Sequence, residues 1–209
     1  TSRTYRRDFF HKKSRDDLSC KMERSRMLHL KSKDLLTGEE FSREELFSLL
    51  QLASELKRHR KQGLCRDFLH GKILALLFDK PSLRTRMSFT VAMQELGGTV
   101  VESIQGNRKQ EEPEDLARVL SGYCHAIMIR TSEDATIERM AKAATIPVIN
   151  GLSDNFHPCQ ILADLLTIRE QFGSLQGVRL AYVGDGNNIL QSFFPILEKT
   201  GLELSYACP

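Results

Sequence analysis

Arg84, Arg130, His157, Gln160 and Asn188 each lie shortly after an apolar run and beside or inside a helical pattern. In the first such place, Asp79-Lys-Pro-Ser-Leu-Arg-Thr-Arg86, Ser82 is placed to cap a helix running through Met87 to Leu96. The free N–H groups of a helix N-terminus, with roughly half a unit of positive dipole charge, form an anion site. Arg84 adds a planar fork matched to phosphate oxygens, and Arg130, arriving from another apolar run, can reach the same anion. Two unit charges 4 Å apart attract by about 4 kcal/mol at an effective dielectric of 20, before desolvation. Two arginines and a helix terminus therefore favour a dianion. The competing reading makes both arginines surface ion-pair residues and Ser82 a plain cap.

His157-Pro158 opens another helix, so His157 and Gln160, three apart, share its first turn and face. A lone histidine is usually a capping or core residue. Here it falls on the same predicted rim as the arginines, where an imidazole can donate to a carbonyl oxygen while Gln160 orients a neighbouring amide. Val183-Gly-Asp-Gly-Asn-Asn-Ile189 reads as strand, glycine turn and helix, but it lacks the full G-x-G-x-x-G spacing of a dinucleotide site.

These residues need a frame. Ser42-Arg-Glu-Glu45 is a capping box, and Leu46, Leu49, Leu50, Ala53 and Leu56 follow at helical spacing as far as Gly63. Beyond it, apolar runs at Ile73 to Phe78, Thr99 to Ile104, Ala126 to Ile129 and Pro147 to Ile149 start 26, 27 and 21 residues apart. That spacing suits βαβ units, and the unbroken apolar character suits parallel strands covered on both faces. The expected fold is α/β: a parallel sheet covered by helices on both faces, followed by the start of a second α/β domain. In that second part, a long helix from about Pro158 to Phe172 leads to a strand at Val178 to Val183. A helix from about Asn188 to Thr200 and a strand near Leu202 to Tyr206 complete the pattern. Ligands of open parallel sheets bind beyond the carboxyl ends of the strands, where these cationic and hydrogen-bonding residues collect.

The 209 residues are 41% apolar, enough for one substantial core or for one domain and part of another. No stretch approaches the roughly 20 apolar residues of a membrane helix. Five cysteines, Cys20, Cys65, Cys124, Cys159 and Cys208, are scattered without a C-x-x-C pair, which argues against a disulfide framework and a zinc site and fits a reducing, cytoplasmic setting. The net charge of +3 belongs to residues 1–26, which hold nine Lys/Arg against four Asp/Glu and leave 21 against 23 for the rest. That stretch reads as a disordered basic leader, with Met27 the expected natural start. The remaining divisions expected are 27–156, 157–174 as a linking helix, and 175–209 as the incomplete second domain. Nothing here suggests a nucleic-acid or membrane partner.

From Met27 to Pro209 the sequence resembles the carbamoyltransferase family. The likeness is carried by Ser82-Leu-Arg-Thr-Arg86, Asp115-Leu-Ala-Arg-Val-Leu120, Ile129-Arg130-Thr131, Asn150-Gly-Leu-Ser-Asp154, His157-Pro-Cys-Gln-Ile-Leu-Ala-Asp164 and Gly184-Asp-Gly-Asn-Asn188. The second glycine-rich stretch and Asn150-Gly-Leu-Ser-Asp154 favour the ornithine branch over the aspartate branch. The resemblance implies transfer of a carbamoyl group from carbamoyl phosphate to the δ-amine of L-ornithine, without metal or organic cofactor, in a homotrimer. It also implies that Ser82, Arg84, Thr85 and the backbone of Leu83 hold the phosphate. Arg130, His157 and Gln160 would hold the carbamoyl end, and Asn188 the amino acid. Arg84, Arg130 and His157 are then the catalytic candidates.

Leu83 stands where many family members have threonine, so only its amide remains for the ligand. Residues 105–110 align poorly with the family loop that reaches a neighbouring subunit, and none of them is assigned. The sequence stops before the family's Asp-x-x-x-Ser-Met-Gly and His-Cys-Leu-Pro segments, so this chain is expected to be inactive as it stands. Two alternatives stay open: a protein that binds carbamoyl phosphate or phosphate without turnover, and a transferase for another amine such as putrescine or an acylated ornithine.

Overall fold

Ser42 and Glu45 close their capping box in both directions: Glu45 N–H donates to Ser42 Oγ (3.2 Å) and Ser42 N–H to Glu45 Oε2 (2.8 Å). The helix they start, α1 (Arg43–Lys61), precedes the strand β1 (Ile73–Phe78). The computed structural model describes residues 30–64, 67–104 and 111–209; of Ile104 only the backbone is described. The basic leader, Met27, Cys20, Cys65 and residues 105–110 lie outside the described residues.

After β1 come α2 (Leu83–Glu95), β2 (Thr99–Ile104), α3 (Pro113–Tyr123), β3 (Ala126–Arg130), α4 (Asp134–Ala143), β4 (Val148–Leu152) and α5 (Pro158–Phe172). The four strands form one sheet in the order β2-β1-β3-β4, every pair parallel. Alternation along β1 splits its side chains between two cores. Ala75 and Leu77 join Ile127 and Ile129 against Ala117 of α3 and Ile137 and Met140 of α4. Leu74, Leu76 and Phe78 join Met128 against Met93 of α2. The expected doubly covered parallel sheet is present, and the edge strand β2 is its exception, with Val101 56% exposed.

Just before α1 the chain adds a parallel bridge to the far edge: Leu35 N–H donates to Val148 O and Asn150 N–H to Leu35 O. A third core joins Phe41, Leu46 and Leu50 to Ile161 and Leu165 of α5 and to Phe193, Ile196 and Leu202. These last residues belong to the second α/β pattern: β5 (Arg179–Val183), α6 (Asn188–Phe193), a 3₁₀ turn (Phe194–Ile196), α7 (Leu197–Thr200) and β6 (Glu203–Ala207). β5 and β6 pair in parallel as a second sheet.

Two element boundaries differ from expectation. The single helix expected from Asn188 to Thr200 is broken into three pieces, with Pro195 in the 3₁₀ turn. Proline lacks the N–H of an α-helical ladder and its ring crowds the preceding turn. β4 also runs past Ile149 through Asn150 and Gly151 to Leu152, with a register shift against β3: Ile129 faces Asn150 but Arg130 faces Leu152. Gly151 is the extra residue, a bulge beside Arg130. No described helix is long and apolar enough to cross a membrane.

Candidate functional site

The carboxyl ends of β1 and β3 meet directly, since Asp79 N–H donates to Arg130 O at 3.0 Å. This sets Arg130 against the N-terminus of α2. Its Nη1 donates to Ser82 Oγ (2.8 Å) and to Thr85 Oγ1 (2.9 Å). Ser82 does occupy the N-cap position, but its side chain makes no capping bond. That corrects the expectation that its hydroxyl caps the helix. The first-turn amides are left without an intrahelical acceptor. Both hydroxyl oxygens accept from Arg130, and each retains its own O–H proton for a further partner.

The two arginines of the segment separate. Arg86 turns back onto the edge strand, pairing with Glu102 at 2.8 Å and lying 5.4 Å from the centre of the Phe78 ring. Arg84 is exposed and has no partner among the described residues. Leu83 is 72% exposed, so the first turn offers an apolar surface where a hydroxyl was expected to be absent. Arg130 is partly buried, and burial disfavours its charged form and lowers its pKa. A neighbouring anion would offset that cost.

His157 is the N-cap residue of α5 and makes no side-chain capping bond. Its Nδ1 is buried without a hydrogen-bond partner. Burial, and then the charge of Arg130, lower its pKa below the ordinary value, both favouring the neutral imidazole. Hydrogen bonds join the end of β3 to the β4–α5 connection: Thr131 N–H donates to Leu152 O at 3.2 Å and Asp154 N–H to Ser132 O at 3.1 Å. Gln160 lies in the same turn, its N–H donating to His157 O at 3.0 Å. Its side chain is exposed and donates through Nε2 to Asp164 Oδ1 at 3.0 Å.

Asn188 opens α6, capped by Asn187, whose Oδ1 accepts from Ile189 N–H at 3.0 Å. Tyr182 Oη steadies the glycine turn by donating within it, with Asp185 O at 2.8 Å and Asn187 Oδ1 at 3.1 Å. Asn188 is tied to the β4–α5 connection twice. Its Nδ2 donates to Ser153 O at 3.0 Å. Its carbonyl accepts from Ser192 Oγ (2.5 Å), which in turn accepts from His157 N–H (2.7 Å). Ser192 and Ser153 are fully buried, and Ser153 Oγ is hydrogen-bonded to Asp134 and accepts from Asn150 Nδ2. In the sequence Ser192 is marked only by its i, i+4 spacing from Asn188, and Ser153 only by its place in Asn150-Gly-Leu-Ser-Asp154.

Cys159, beside the site, is intermediate in exposure with its thiol next to Asn150 O, and burial pushes its pKa up to about 11. It is no nucleophile at neutral pH. Among the described residues no group of His, Cys, Asp and Glu is arranged to hold a metal ion.

Residues 33–170 match the family model described as aspartate/ornithine carbamoyltransferase, carbamoyl-P binding domain. The chain belongs to this family. An ornithine carbamoyltransferase of Anoxybacillus flavithermus is 49% identical over 90% of this chain and 61% of that protein. The structure titled for ornithine carbamoyltransferase from Pyrococcus furiosus superposes with a TM-score of 0.83 at 45% identity, covering 86% of this chain and 58% of that one. The catalytic subunit of M. jannaschii aspartate transcarbamoylase gives a TM-score of 0.77 at 31% identity, covering 85% and 61%. The chain thus spans less than two thirds of the length of these relatives. In carbamoyltransferase terms, the matched region holds the α2 N-terminus, Arg130, His157 and Gln160, while Asn188 lies outside it.

Proposed function

We propose that the chain carries the carbamoyl phosphate site of an ornithine carbamoyltransferase, which transfers the carbamoyl group to the δ-amine of L-ornithine to give L-citrulline and phosphate. The observation that carries this reading is the Arg130 guanidinium bonded to both hydroxyls of the α2 first turn. It joins a cationic fork, two hydroxyls and free helix amides at one strand end, groups whose chemistry suits a phosphate.

In this reading Arg84, the first-turn amides including that of Leu83, and the hydroxyl protons of Ser82 and Thr85 receive the phosphate. Arg130 and the neutral His157 lie toward the carbonyl oxygen, Gln160 toward the carbamoyl nitrogen and Asn188 toward the amino acid. The amine lone pair attacks the carbonyl carbon, and negative charge develops on the carbonyl oxygen. The carbon–oxygen bond to phosphate then breaks, phosphate leaves with the bonding electrons, and the proton lost by the attacking nitrogen passes to the departing phosphate. Each fixed donor aimed at developing charge is typically worth about 2.7–4 kcal/mol. The ornithine acceptor is favoured over aspartate by the Gly184-Asp-Gly-Asn-Asn188 stretch and by the higher identity to ornithine carbamoyltransferases. The same reading takes 27–156 as the carbamoyl phosphate domain, 157–174 as its link to 175–209, and the working assembly as a cytoplasmic homotrimer.

Calorimetry with carbamoyl phosphate, run beside a citrulline assay with ornithine, tests it. Saturable heat together with citrulline supports the whole reading. Heat without citrulline supports the binding half and removes turnover from this chain. Absence of heat with both carbamoyl phosphate and inorganic phosphate overturns the reading.

A further inference from the structure

Asp164 sits one turn beyond Gln160 on α5 and accepts from its Nε2 at 3.0 Å. The two ends of a glutamine amide are nearly equal in size and opposite in hydrogen-bonding sense. An ionised carboxylate only accepts, so Asp164 draws the NH₂ end toward itself and turns Oε1 the other way. Oε1 has no partner among the described residues. Burial pushes the Asp164 carboxyl above its ordinary range, and the Gln160 bond pulls it back, as expected of a half-buried carboxylate held by this one donor. The Gln160 backbone is bonded to His157 O, so the freed acceptor belongs to the same helical turn as His157.

We propose that Asp164 is a positioning and specificity residue: by fixing the amide of Gln160 it presents Oε1 as an acceptor, and so selects a ligand whose carbonyl carbon bears an NH₂ group. The inference rests on the carbamoyl phosphate reading of the site and goes beyond it by naming what distinguishes carbamoyl phosphate from other acyl phosphates. Acetyl phosphate is the matched probe. It keeps the phosphate and the carbonyl and replaces NH₂ by a methyl group, which offers Oε1 no donor.

The test is calorimetric affinity for carbamoyl phosphate and for acetyl phosphate, in the 209-residue chain and in Asp164→Ala. The chain should prefer carbamoyl phosphate. In Asp164→Ala, where Gln160 is free to turn, carbamoyl phosphate should bind about three- to tenfold more weakly, the worth of one ordinary hydrogen bond. Acetyl phosphate should bind unchanged, which also reports that the variant is folded. An unchanged preference, or an equal loss for both ligands, overturns the inference and leaves the site reading intact. If the unaltered chain binds neither acyl phosphate, the site reading itself has failed and the inference falls with it.

Discussion

Arg130 Nη1 and Ser82 Oγ, 48 residues apart in sequence, lie 2.8 Å apart at the sheet's carboxyl edge. The same nitrogen reaches Thr85 Oγ1, so a strand end and a helix start are fixed to each other before any ligand arrives. Donors already held in place need little reorganisation when charge develops beside them.

The bulge at Gly151 sets where Arg130 leaves the sheet. A Cβ at Gly151 would lie 2.3 Å from Met128 Sδ and 3.2 Å from Ile129 O, and the carbonyl belongs to the strand that carries Arg130. Gly151→Ala should therefore cost about 1–3 kcal/mol, read as a lower urea midpoint with an unchanged slope, and should weaken phosphate binding as well. An unaltered midpoint would remove the bulge from the account.

His157 should titrate below its ordinary value by NMR. Burial is the larger cause and the Arg130 charge the second, so Arg130→Met should raise the His157 pKa part of the way back. A bound phosphate dianion should also raise it. As pH falls through about 6.5 the unfolded chain takes up a proton that the native imidazole still refuses, so stability falls from there down to the native pKa.

Ser192→Ala removes a buried hydroxyl that accepts from His157 N–H and donates to Asn188 O. The His157 N–H is then left without this acceptor, a loss of about 1–3 kcal/mol. Chemical denaturation should show the loss, and hydrogen exchange at the His157 amide should accelerate. Unchanged protection at that amide would contradict the link.

Much of this frame was legible in the sequence, because apolar runs at βαβ spacing dictate parallel strands and alternation along β1 dictates two cores. The rim residues could also be named, since they follow the strands. What escaped was pairing at a distance. Nothing local to Ser82 says that its hydroxyl serves Arg130 instead of its own helix, and nothing local to Arg86 says that it turns to Glu102. Helical periodicity across Asn188 to Thr200 masked the break that Pro195 imposes. Ser153 and Ser192 look like surface residues by type, and only the packing of α6 against the β4–α5 connection buries them.

The central claim is that the α2 N-terminus, with Arg84 and Arg130, holds a phosphate dianion. Arg84 tests it most directly, being exposed and without a partner among the described residues, so its loss should leave the fold untouched. Calorimetry of Arg84→Ala with carbamoyl phosphate should show no measurable binding, with the circular dichroism spectrum and the thermal midpoint unchanged. Binding at the affinity of the unaltered chain would contradict the account.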